Sequence, residues 1–158
     1  MDKLQNLQKL QETALQTITH VLESAAFIFT DTLDNQEKPR PEAWDAQGVS
    51  LRFSGDPSGI YHMWVGSGFS CFVAANMLGI DPDSADARDK GLDALKEILN
   101  MIVGNFITAA FGTTQVFELG LPAPTDRALM EKHMNGPNAV WLQAEGNPVL
   151  FVVEIDHD

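Results

Sequence analysis

Apolar and polar positions along the chain follow two periods, and the longest stretch holding one of them runs from about Asp83 to Phe111. At 100° per residue, Leu92, Leu95, Leu99, Ile102, Val103, Phe106 and Ala110 form one apolar arc, which predicts a helix laid against a core. Asp81 suits the N-cap, Pro82 the first helical position, and Asp83 and Asp86 the positive end of the dipole. Opposite the arc, Asp93, Glu97, Asn100, Gly104 and Thr108 recur at spacings of four, three, four and four and form a second stripe. A solvated helix face usually mixes Lys with Glu. This one carries two carboxylates, a carboxamide and a glycine, with only Lys90 and Lys96 near its edges. Gly91 and Gly104 each weaken a helix by roughly 1 kcal/mol relative to Ala. At Gly104 the missing side chain would let another surface approach.

The rest of the chain alternates between helical and strand periods. Leu4, Leu7, Ala14, Leu15, Ile18, Val21, Leu22, Ala25 and Phe29 step along one side of a helix from residue 3 to about 30. Asp31 to Gln47, with Pro39 and Pro41, reads as a connection anchored by Trp44. Val49–Ser54 alternates as a half-buried strand, Gly55-Asp-Pro57-Ser-Gly59 is turn chemistry, and Ile60–Val65 returns as a hairpin partner. Residues 68–78 make a short apolar helix stopped at Gly79. Thr113–Leu119 reads as a strand ended by Gly120-Leu-Pro122-Ala-Pro124, and a loop containing His133 follows. Ala139–Ala144 and Pro148–Ile155 read as two strands turning at Gly146-Asn147. This order predicts an α+β fold of two layers, with long helices packed on one face of a mostly antiparallel sheet. No long linker interrupts it, so residues 1–158 are expected to form a single domain.

Composition narrows the chemistry. A chain of 158 residues, 44% hydrophobic, is long enough for one sizeable core. Ten basic against 22 acidic side chains give a net charge of −12, which argues against a nucleic-acid partner and against anionic membrane surfaces. The absence of a long uninterrupted apolar run predicts no membrane span, the N-terminus does not read as a signal peptide, and a cytoplasmic setting is expected. One cysteine, Cys71, allows no intrachain disulfide; its apolar neighbours predict a buried structural thiol. His62 has no second His at ligand spacing and is expected as a packed or surface residue.

The run Asp93-x-x-x-Glu97-x-x-Asn100, followed by Met101-Ile-Val-Gly104-Asn105, resembles the signature of the CheC/CheX/FliY family of chemotaxis phosphatases, and CheX-type members in particular. The order of elements agrees with that family along nearly the whole chain. Two features depart from it. The family's distal proline, 23 positions after the Asn, falls here on Ala123, between Pro122 and Pro124, a one-residue shift in the turn. Phe106-Ile-Thr also stands where relatives carry small or basic residues. CheC-type members carry the motif twice; here Asn76 lacks a Glu at Val73 and Glu23 lacks an Asn at Ala26, so one site is implied, as in CheX.

The resemblance implies a substrate, the aspartyl phosphate of a CheY-like receiver domain with its own Mg²⁺ and lysine. Asn100 would position the attacking water and Glu97 would grip the lysine. Asp93, Met101 and Gly104 would belong to the partner-binding surface. No metal or cofactor of its own is implied, since the Mg²⁺ belongs to the receiver. Homodimers joined through sheet edges are also implied. A second reading is a catalytically silent CheX-like adaptor that binds a receiver or another signalling protein.

Overall fold

Side chains that alternate across the central strands divide this molecule into two cores. The computed structural model describes residues 3–156; the side chain of Leu4, one of the expected apolar positions, lies outside what is described. In chain order the elements are α1 (Lys3–Ala26), β1 (Thr30–Thr32), β2 (Ala46–Ser54), β3 (Gly59–Gly66), α2 (Ser67–Leu78) and α3 (Ala85–Phe111). Then come β4 (Glu118–Leu119), β5 (Ala123–Thr125), α4 (Arg127–His133), β6 (Ala139–Ala144) and β7 (Asn147–Ile155). The strands form one sheet in the order β1-β6-β7-β3-β2-β4, with β5 also on β2, and every pair is antiparallel. The fold is α+β, as the periodicities predict.

Tyr61, Met63 and Val65 of β3, with Val149 and Phe151 of β7, point into the larger core beneath α1, α2 and α3. Tyr61 meets Phe106 of α3 and Phe151 edge-on, at centroid distances of 5.6 and 5.8 Å. Burying large aromatic side chains in this way contributes most of what holds helices to a sheet. The intervening residues Trp64, Leu150 and Val152 face the other way, into a small core closed by Trp44, Met130 and Met134. Trp44 does anchor its loop: it is buried, its ring lies 5.5 Å from that of Trp141, and its carbonyl accepts from Arg127 Nη1.

His62 lies in this second core, only 3% exposed. Its Nδ1 shares a hydrogen bond with the Ser50 hydroxyl, and its Nε2 is 3.4 Å from Glu154 Oε1. His133 Nε2 is 3.2 Å from the same oxygen. Burial pushes the His62 pKa below the usual 6.5; the Glu154 carboxylate opposes that shift, and His133 and Arg52 add to it.

Several expectations are corrected. The first helix stops at Ala26, because Phe27 takes a left-handed φ of 54°. The N-cap of α3 is Ser84, whose hydroxyl accepts from Ala87 N at 3.1 Å; Asp81 instead accepts from Asp83 N in the turn before it. Thr113–Val116 is irregular, and only Glu118–Leu119 pairs with β2. β1 arises inside the expected connection, and α4 inside the expected loop, on the opposite sheet face from the long helices. The last hairpin turns at Glu145-Gly146, both at positive φ, rather than at Gly146-Asn147. Cys71 is half-buried on α2, not enclosed.

Candidate functional site

The position of α3 is set by what it buries. Ala87, Gly91, Ala94, Leu95, Ile98, Leu99, Ile102, Val103, Phe106 and Ile107 are buried, a broader arc than periodicity outlines because α1, α2 and the sheet all cover it. By length and composition α3 could cross a bilayer, but its apolar side chains are those of the protein core. Gly91 has an internal purpose: a Cβ there would sit 2.9 Å from Ser70 Oγ, so its absence lets α2 close on α3.

What α3 leaves uncovered is the polar stripe. Asp93, Glu97, Asn100 and Thr108 are exposed, and Gly104 and Met101 are half-buried. Among the described residues the side chains of Asp93, Glu97 and Asn100 have no hydrogen-bond or ion-pair partner; Lys90 and Lys96 form no ion pair with Asp93. Asn105 bonds locally, donating from Nδ2 to the Met101 carbonyl at 2.8 Å. A Cβ on Gly104 would meet nothing within 4 Å. Its helix penalty of roughly 1 kcal/mol therefore has no return inside the chain. The second helix offers no second site: Val73 is buried, and Asn76 Nδ2 is used on the Ala26 carbonyl at 2.8 Å.

Three grooves border the stripe. One, of about 200 Å³, lies between the end of α2 and α3, where Met77 and Leu78 face Lys90, Asp93, Ala94 and Glu97. A second, of about 560 Å³, separates α1 from α3 and is lined by Gln16, Thr17, His20, Gly104, Asn105 and Thr108. The third, of about 350 Å³, runs from Gly104 and Thr108 to Gln115, Phe117 and Leu119. Asn100, exposed on α3 between Glu97 and Gly104, lines none of the three. Leu78, His20 and Gln115 were invisible as site residues in the sequence, since their adjacency to the stripe exists only once the helices and the 112–119 loop have packed.

The sequence and the backbone find the same relatives. The family model of the chemotaxis phosphatase CheX matches residues 48–143, a span that includes Asp93, Glu97 and Asn100. This chain belongs to the CheX family. CheX from Borrelia burgdorferi, solved in a complex with CheY, BeF3 and Mg²⁺, has a TM-score of 0.65 at 21% identity over 92% of this chain and 97% of that one. CheX from Desulfovibrio desulfuricans matches with a TM-score of 0.65 at 15% identity, over 94% of this chain and 99% of that one. FliY from Thermotoga maritima matches at 0.57 and 12% identity, over 96% and 90%. At these identities the likeness is one of fold. No curated protein matches the sequence. The CheX fold thus frames an exposed Glu97–Asn100 pair on its long helix.

Proposed function

We propose that this CheX-family chain hydrolyses the aspartyl phosphate of a CheY-type receiver domain, with Asn100 positioning the attacking water and Glu97 docking the receiver. The observation that carries this reading is the pair itself: two exposed polar side chains, three residues apart on α3, with no hydrogen-bond or ion-pair partner among the described residues. The CheY partner of the structurally similar Borrelia CheX supports the choice of substrate.

The chemistry asks little of the phosphatase. Water attacks phosphorus, the bond from phosphorus to the aspartyl oxygen breaks, and carboxylate and inorganic phosphate result. The receiver's Mg²⁺ neutralises the developing charge. What remains is to hold the water in line. The Asn100 carboxamide oxygen accepts from the water, while its NH₂ donates to a phosphoryl oxygen. Positioning of this kind supplies several kcal/mol, and each ~1.36 kcal/mol gives about tenfold in rate. Glu97, about 4.5 Å away along the axis, reaches the receiver's lysine and fixes the register. Asp93, Met101 and Gly104 complete the docking surface, and no cofactor belongs to this chain.

A silent adaptor is the competing reading. Phe106, one of the departures that suggested it, is fully buried against Tyr61 and does not alter the exposed surface. The deciding experiment follows phosphate loss from a panel of CheY-type receivers phosphorylated with acetyl phosphate in Mg²⁺. Acceleration by the wild-type protein is expected, and Glu97→Ala should raise KM by about tenfold or more, as loss of a charge-assisted contact does. Binding of a receiver without acceleration would select the adaptor.

A further inference from the structure

Charge is distributed unevenly about Asn100. From Ile98 to Phe117 the chain has no Asp, Glu, Lys or Arg, although 32 of its 158 residues are of those types. Burial explains only part of this. Asn105, Thr108, Ala109, Thr113 and Gln115 are all exposed and could carry charge without disturbing the core. The two grooves that meet at Gly104 share the property. The α1–α3 groove presents Gln16, Thr17 and His20 from α1, and the other presents Thr113, Gln115 and Phe117; no carboxylate lines either. Gly104 is the pass between them, with nothing within 4 Å of where its Cβ would be. The groove on the far side of Asn100 differs, with Lys90, Asp93 and Glu97 on its walls.

We propose that the receiver lies across α3 at Gly104, seated in this uncharged trough, so that α1 through Gln16 and His20 and the loop through Gln115 are part of the recognition surface. The inference rests on the phosphatase reading above and adds to it an orientation and residues outside the motif. The occupant follows from charge. A chain of net charge −12 repels an acidic partner wherever its own carboxylates stand. A phosphorylated receiver, with its phosphoryl group set among Mg²⁺-holding carboxylates, is such a partner. The trough beside Asn100 is the place where such a surface can approach closely, while Glu97 on the other side takes the receiver's lysine.

The test places single carboxylates in the trough without changing its shape. Gln16→Glu and Gln115→Glu are isosteric and lie at solvent-facing positions. They are assayed with phosphorylated receivers for kcat and KM, and for binding to the receiver loaded with beryllofluoride and Mg²⁺. Each is expected to raise KM by about tenfold at low salt with kcat unchanged, and by under about threefold in 0.5 M salt, as screening requires. Gln36→Glu, which adds the same charge at an exposed position lining neither groove, should stay within about threefold of wild type. Wild-type turnover with unchanged KM in both trough variants would overturn the trough and leave the phosphatase reading standing. A change in oligomeric mass with unchanged receiver KM would overturn it too, identifying the trough as a contact between copies of this chain. If the wild type neither binds nor dephosphorylates any receiver, both readings fall together.

Discussion

His62 and Asn100 show what surroundings do to a polar side chain. Asn100 is solvated and has no partner among the described residues, so it is available to another molecule. His62 is enclosed, shared between Ser50 on β2 and Glu154 on β7, with His133 of α4 and Arg52 of β2 nearby. It serves the fold, and its lowered pKa fixes the sign of its effect. The unfolded chain takes up a proton at His62 near pH 6.5, which the folded site resists until lower pH. The unfolded state therefore binds more protons, and stability falls as pH drops below about 6.5. Urea midpoints measured from pH 7.5 to 5.5 should decline, with His62 contributing a slope of at most about 1.4 kcal/mol per pH unit. His62→Gln should flatten the decline; an unchanged slope would show that the site takes its proton as readily folded as unfolded.

Within α3, two glycines of the same residue type have opposite reasons to exist. Gly91→Ala drives a Cβ to 2.9 Å from Ser70 Oγ and should destabilise by about 1–3 kcal/mol through overpacking against α2. Gly104→Ala meets open space and should stabilise by about 0.5–1 kcal/mol. Urea unfolding of the two variants checks both signs; loss of stability in each would mean that Gly104 has a constraint inside the chain after all. The long helices were legible because an α-helix buried along one side repeats its apolar positions every 3.6 residues, unlike the two-residue period of a strand. The strand expected over Thr113–Leu119 was not, since Val116 is 87% exposed and β2 offers that segment only Phe53 and Ser54. β1, three residues of Thr-Asp-Thr, has no apolar alternation and exists because β6 pairs with it. α4 is too short to show a period; its local signals are the Asp126 cap accepting from Leu129 N and the basic Lys132 and His133 in its last turn. The spacing of Glu97 and Asn100 was readable for the same reason as α3 itself, whereas the grooves beside them depend on contacts between distant segments.

Taken whole, the molecule is a sheet carrying long helices on one face, with its candidate chemistry on the outer side of α3 and a free strand edge at β1. Phe27 and Phe29, 68% and 63% exposed, immediately precede that strand. The CheX-type resemblance implies a homodimer through sheet edges, and we propose that two β1 edges pair. Sedimentation at micromolar concentration should give twice the chain mass, with Phe29→Asp reverting to monomer; a monomeric wild type would remove the dimer from the account. Asn100 is proposed to deliver water into another protein's active site, while Glu97 and its neighbours on α3 dock that protein. The most direct measurement compares wild type with Asn100→Ala in single-turnover dephosphorylation of a saturating, phosphorylated receiver, with binding to the beryllofluoride-loaded receiver measured in parallel. Asn100→Ala should lose at least about a hundredfold in rate, the equivalent of roughly 2.7 kcal/mol of transition-state stabilisation, with receiver binding and thermal stability retained. Wild-type turnover in Asn100→Ala would contradict it.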